Sequence, residues 1–155
     1  MVDIKDLLAY NDAERRAFFK AFGELSWEEF TKNRDASFDS IRNIFIHTLG
    51  ATDYWLDSLQ KEKHRSNKKF AEYKTLKEIG TYMKHVENRM KKYLESLSSE
   101  DLKRKFTRKR RGKLETVTAE DILVHVFEEE VHHRGELIAL FWQMNIRPPL
   151  IGYPP

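Results

Sequence analysis

Leu76, Ile79, Met83, Val86, Met90, Tyr93 and Leu97 follow one another at strictly alternating steps of three and four. That rhythm puts every one of them on one face of an α-helix and divides them between the two faces of a strand. A segment over 38–61 keeps the same rhythm with Phe38, Ile41, Phe45, Thr48, Thr52, Trp55 and Leu59. A segment over 3–24 starts at a capping residue, Asp3, and carries Ile4, Leu7, Leu8, Phe18, Phe19 and Phe22. Ser26 can cap a short turn in "LSWEEF" just after it. A last segment over 119–145 opens with Thr118 three residues before Asp121, the spacing of a capping box. Pro148 and Pro149 stop it. Four amphipathic helices can hide their stripes only against one another, so the pattern predicts an all-α four-helix bundle with short connecting turns. The tail "RPPLIGYPP" is predicted to be non-helical and to pack across the bundle. No segment shows the period-two alternation of a strand. Gly80 interrupts the third stripe at a cost of about 1 kcal/mol against alanine.

The chain of 155 residues suits one domain spanning 1–155. Hydrophobic residues at 40% and charged residues at 34% argue for a folded helical protein over a disordered one. No apolar run approaches the roughly 20 residues of a membrane span. Charges at Asp3, Lys5, Asp6, Asp12, Glu14, Arg15 and Arg16 argue against a secretory signal. Cysteine is absent, which removes disulfides, thiolate ligands and cysteine nucleophiles and fits a reducing cytoplasm. Any metal must then bind through His, Asp, Glu or water. The net charge of +3 is uneven, because the basic loop "KRKFTRKRRGK" (103–113) holds eight basic residues and no acidic one, leaving the remainder at −5. His64, in the polar connection "KEKHRSNKKF", and His85, on the outer side of the third helix, are expected in solvent.

The last helix contains "HVFEEEVHHRGEL" (125–137). At 100° per residue, with Glu129 set at zero, Ile122, Val126, Leu137, Leu140 and Met144 fall at roughly 20–80°, and His133 at about 40°. His125, His132 and Glu136 flank this stripe on one side, while Glu128 and Glu130 diverge to either side. A carboxylate on an apolar stripe needs compensation. One form is an ion pair, with Arg134 or a basic residue of another helix. The other is a divalent metal, since Glu and His at i, i+4 point the same way and can share an ion. A third ligand would come from another helix, and His47 lies inside the apolar run "IRNIFIHTLGA" of the second helix.

"SFDSIRNIFIHTLGATDYWL" and "TAEDILVHVFEEEVHHRGELIALFWQMNIRPP", with its "HHRG" at 132–135, resemble the second and last helices of the DinB/YfiT-like superfamily of metal-dependent helical-bundle proteins. The resemblance runs in order along nearly the whole chain. It implies a four-helix bundle, often a homodimer, with a divalent metal held by one side chain of the second helix and two of the last. Carried over, these are His47, Glu129 and His133, with Glu129 where the superfamily usually has histidine. His125 or His132 could replace a ligand were the helix rotated. Two histidines and a carboxylate suit Zn, Fe, Mn or Ni.

The leading functional reading is therefore a divalent-metal-dependent enzyme acting on a small molecule. Three protein ligands leave a coordination position open. The resemblance implies thiol-dependent transfer, isomerisation or hydrolysis, and a cysteine-free chain would need an external thiol for the first. Glu128, His132 and Glu136 are candidate proton carriers. A second reading gives the basic loop electrostatic attraction to nucleic acid, without specific recognition, since only Phe106 interleaves its charges. A third is a non-catalytic, stress-associated helical dimer with a vestigial site.

Overall fold

A computed structural model of the chain describes residues 3–64, 68–110 and 112–154, with Arg110 described by its backbone alone. Arg111 of the basic run and residues 65–67 of the polar connection lie outside the described residues. The chain is mostly helical. Its elements are α1 (Ile4–Phe22), α2 (Trp27–Thr31), α3 (Ile41–Gln60), α4 (Leu76–Glu95), α5 (Ser99–Leu102), a hairpin of β1 (Lys105–Arg110) and β2 (Lys113–Thr118), and α6 (Ala119–Gln143). A single 3-10 turn, Phe70–Glu72, precedes α4. Each of the four long helices begins at a side-chain cap that satisfies an otherwise orphaned amide. Asp3 accepts from the Lys5 amide, Ser40 from Asn43, Thr75 from Glu78, and Thr118 from Asp121. Asp121 returns the bond to the Thr118 amide at 2.7 Å, completing the capping box. The long helices touch in the cyclic order α1, α6, α3, α4.

Two differences from the sequence expectation have physical causes. The second helix starts at Ile41, not Phe38, because Asp39 adopts a positive φ of 67° and Ser40 takes the cap. Phe38 therefore sits in the preceding loop. The basic run is not a loop but part of a β-hairpin, with Arg110 paired to Lys113 and Lys105 to Thr118. Gly112, at φ 80°, supplies the left-handed conformation such a tight turn requires. Period-two alternation is present in β1, but its half-buried positions are Phe106 and Arg108, and its exposed ones Lys105, Thr107 and Lys109. An arginine on the inner face hides the alternation from a hydrophobicity reading. Arg108 is held there by its cross-strand partner, Nε donating to Glu115 Oε1 at 2.6 Å.

The core is split along the bundle axis. One cluster gathers Phe18, Phe22, Phe45, Ile79, Met83, Leu140 and Phe141. The other gathers Ile4, Leu8, Leu56, Leu59, Met90, Tyr93, Ile122 and Val126, with Phe106 and Val117 of the hairpin packed against it. Between them lies a polar layer to which every long helix contributes: Arg15, Thr52, Glu87 and Glu130, all buried. Arg15 donates to Glu130 through Nη2 and to Asp12 Oδ1 at 2.7 Å through Nη1, which also lies 3.5 Å from Glu87 Oε1. The Thr52 hydroxyl is 3.3 Å from the same Glu130 oxygen. Arg16 reaches Glu87 Oε2 from solvent at 3.1 Å.

The tail after α6 carries no helix among the described residues. Its Ile151 and Gly152 amides donate to Glu14 Oε1 at 3.1 and 2.9 Å, and the Tyr153 ring meets Tyr10 edge-on. The tail thus provides a buried α1 carboxylate with backbone donors.

Gly80 lies where α4 meets the Phe19 ring of α1. A Cβ there would stand 2.7 Å from Cζ of Phe19, a ring itself stacked on Phe45. Glycine is retained for that approach, against helix propensity. Gly80→Leu is expected to lower unfolding free energy by about 1–3 kcal/mol, as overpacking does, measured by urea denaturation; an unchanged midpoint would contradict the close packing.

In the polar layer, burial foremost pushes the Asp12 carboxyl up to about 6; Arg15 pulls it down, and Glu87 and Glu130 push it further up. Between the ordinary value of 3.8 and about 6 the folded chain keeps a proton that the unfolded chain has released. Stability contributed by this group is therefore lost as pH rises through that window. Comparison of the wild type with Asp12→Asn by chemical denaturation should show the wild type losing ground between those values, by about 1–3 kcal/mol. A pH-independent difference would refute the assignment.

Candidate functional site

The inward stripe of α6 is centred further round the helix than the apolar residues alone suggested. Its buried positions, Ala119, Ile122, Leu123, Val126, Glu130, His133, Leu137, Leu140 and Phe141, span about 20–120° from Glu129. The carboxylate facing the core is thus Glu130, compensated by Arg15. Glu129 lies at the stripe's edge, with 29% of its side chain exposed. Arg134 is not its partner; that guanidinium donates to Asn11 Oδ1 at 3.1 Å and covers the Tyr10 ring.

Glu129 turns instead toward two histidines. Its Oε1 lies 3.0 Å from His47 Nε2 on α3 and 3.2 Å from His133 Nε2 one turn along α6. The ligand-capable atoms of His47, Glu129 and His133 all lie within 4.8 Å of one another, so these three side chains could hold one metal ion. A second such group is His132, His133 and Glu136. His125 belongs to neither group; its ring meets Trp55 edge-on, and its Nδ1 lies 3.6 Å from Glu128. Glu128 is thereby placed away from the cluster, whereas Glu136 is part of it.

Glu136 settles how His133 is protonated. His133 Nδ1 is 2.6 Å from Glu136 Oε2. An ionised carboxylate can only accept, so Nδ1 carries the hydrogen. Glu136 is in turn held by Ser37, whose hydroxyl donates to Oε2 at 2.8 Å. In a neutral ring, His133 Nε2 then presents a lone pair to Glu129 Oε1, which is itself an acceptor. Two acceptors 3.2 Å apart call for positive charge between them, either a proton on Nε2 or a metal ion.

Both carboxylates are ionised at neutral pH. Burial alone would raise Glu129, but the hydrogen bond from His47 and the proximity of His133 outweigh it and hold the group below its ordinary value. Burial would likewise raise Glu136, and the bonds from His133 and Ser37 bring it below.

Sequence reasoning did not find Ser37 or give Phe38 this position. The loop before α3 carries both. Positive φ angles at Asp35 and Asp39 fold it over the cluster, so that Phe38 stacks on His47 with ring centroids 3.8 Å apart and meets His133 edge-on at 5.4 Å. The only prior signal was a cluster of Asp, Asn and Ser between helices, which marks a turn but not its contacts. Beside His47 lies a small cavity of about 160 Å³, bounded by Gly50, Ala51, Lys68, Phe70, Tyr73 and Tyr82.

A mostly helical chain with a histidine–glutamate cluster joining two long helices is the class these features define. The model of the DinB family matches residues 1–154, and the chain belongs to that family. No curated protein matches it. No helix among the described residues is long and apolar enough to cross a membrane.

Proposed function

We propose that this DinB-family chain is a divalent-metal-dependent enzyme acting on a small molecule, with His47, Glu129 and His133 as the metal ligands. The observation that carries the reading is the convergence of both Nε2 atoms on Glu129 Oε1, with the His133 Nδ1 hydrogen committed to Glu136. A carboxylate behind a ligating histidine is the usual outer support of a metal centre. Two histidines and one carboxylate suit Zn, Fe, Mn or Ni. Held by these three side chains, such an ion would supply Lewis acidity that makes a water or thiol acidic enough to act near neutral pH.

The chain's own residues have defined tasks in this reading. Glu136 keeps the hydrogen on His133 Nδ1 and leaves Nε2 free to ligate. Ser37 orients Glu136, and Phe38 fixes the His47 ring and keeps water from its face. The cavity beside His47 suits a small substrate, and in a chain without cysteine the thiol of a transfer reaction would arrive there as a co-substrate. Hydrolysis would need only water.

A homodimer belongs to the same proposal. Val124, Val131 and Trp142 are exposed on the outer face of α6, and a Cβ on Gly135 among them would meet nothing. A helix glycine costs about 1 kcal/mol against alanine with no return inside this chain; a second chain crossing there would account for it.

The metal reading is tested by elemental analysis of untagged protein. About one equivalent of transition metal is expected in the wild type and none in His47→Ala or His133→Ala. Glu136→Gln should bind the same metal about 10–100-fold more weakly. A metal-free wild type that retains its fold would point to a non-catalytic helical protein; full occupancy in both histidine variants would overturn the ligand set. For the dimer, sedimentation should give twice the chain mass for the wild type and the single mass for Gly135→Arg, and a monomeric wild type would refute it.

A further inference from the structure

The hairpin builds a second cleft, separate from the histidine cluster. The inner side of β1 presents Phe106 and Arg108 toward α3, which presents Tyr54 and Trp55 two turns beyond His47. Between them lies a cavity of about 430 Å³, within the size range of small-ligand sites. Its walls combine flat rings and cations. Tyr54 is 47% exposed and stacks on His64 with centroids 4.0 Å apart. The Arg108 guanidinium, steadied by Glu115, lies 5.7 Å from the Trp55 ring centre. Lys109 stands at the mouth, exposed, and among the described residues Lys105, Lys109 and Lys113 form no ion pair.

The primary sequence shows one aromatic among these charges. The fold adds Tyr54, Trp55 and His64 from α3 and the segment after it. An apolar partner would leave the unpaired lysines without counter-charge. An acidic peptide would satisfy the lysines but make no use of the flat rings. A base with its phosphate uses both, since bases stack on aromatic faces irrespective of sequence while phosphates draw lysine and arginine. Paired bases in a duplex hide those faces.

We propose that this cleft binds a nucleotide unit, with an unpaired base against the exposed Tyr54 ring and its phosphate on Lys109. The unit comes either from a single strand or from a free nucleotide, and binding needs no metal.

The test uses the full chain at low salt with a chelator present. A fluorescent ten-nucleotide thymidine strand is titrated by anisotropy, with thymidine monophosphate as competitor and a duplex of equal length in parallel. Binding should weaken with added salt, and Tyr54→Ala and Lys109→Glu should each weaken it about tenfold. Lys91→Glu reverses an exposed charge on α4, paired with Glu95 at 3.9 Å, and should leave binding unchanged. Competition by the monophosphate at matched nucleotide concentration assigns the cleft to free nucleotides; its failure, with the strand bound, assigns it to single strands. Absence of binding by both ligands, an equal loss in Lys91→Glu, or a duplex bound as tightly as the strand would overturn the proposal.

Discussion

The buried pair of Arg15 and Glu130 is the constraint on which the arrangement of the four long helices depends. Burial by itself would lower the arginine's pKa, but Glu130, Asp12 and Glu87 more than offset it and keep the guanidinium charged. A buried charge left without its partner costs several kcal/mol, whereas an apolar replacement of both can be nearly neutral. Such a pair therefore contributes less to stability than to position. Sliding α1 against α6 by one turn would separate the two charges inside the bundle, with Glu87 of α4 and Thr52 of α3 losing contacts at the same time. The apolar clusters above and below this layer fix register through shape, whereas the ion pair fixes it through charge, since hydrophobic burial itself is not directional.

That positional constraint reaches the histidine cluster through one peptide bond. Glu130 is directed into the polar layer, so its neighbour Glu129 must point about 100° away, at the edge of the buried stripe. His133, one turn from Glu129, is carried to the same edge. The α3 side is set by the same layer, since Thr52 touches Glu130 and His47 lies on the preceding turns. Adjacent glutamates thus divide two tasks. One fixes the rotation of α6, and the other is presented by that rotation to His47.

Helix periodicity was legible because each long helix keeps enough apolar residues at three- and four-residue steps to mark one face, even where buried polar residues interrupt it, as Asn11, Glu14 and Arg15 do in α1. The His47, Glu129 and His133 grouping was legible from i, i+4 spacing together with the DinB resemblance, and the structure brings the three together. The hairpin was not, since its inner face spends one position on Arg108, whose burial is tolerable only with Glu115 across the ladder. The role of Glu130 was hidden for a related reason. A carboxylate and its guanidinium 115 residues apart look, in one dimension, like two ordinary surface charges. Ser37 and Phe38 belong to a loop whose contacts depend on positive φ values at two aspartates, and no pattern of hydrophobicity encodes those.

The charge of the cluster gives the departure at position 129 a physical meaning. With Nδ1 of His133 committed to Glu136 and both histidines neutral, Glu129 and Glu136 leave the cluster at −2. Both carboxylates are only half-buried, so water screens part of this charge, while the buried His133 between them lowers the local dielectric. The proposed dication would bring the cluster to neutrality. With histidine in place of Glu129, as the DinB resemblance implies for the usual pattern, the same dication would leave it at +1. Neutrality would favour retention of such an ion and make it a weaker Lewis acid than in an all-histidine site, which would favour ionising a thiol, the more acidic group, over water. An incoming thiolate would bring the centre to −1, and Lys68, which lines the cavity beside His47, would help to balance it.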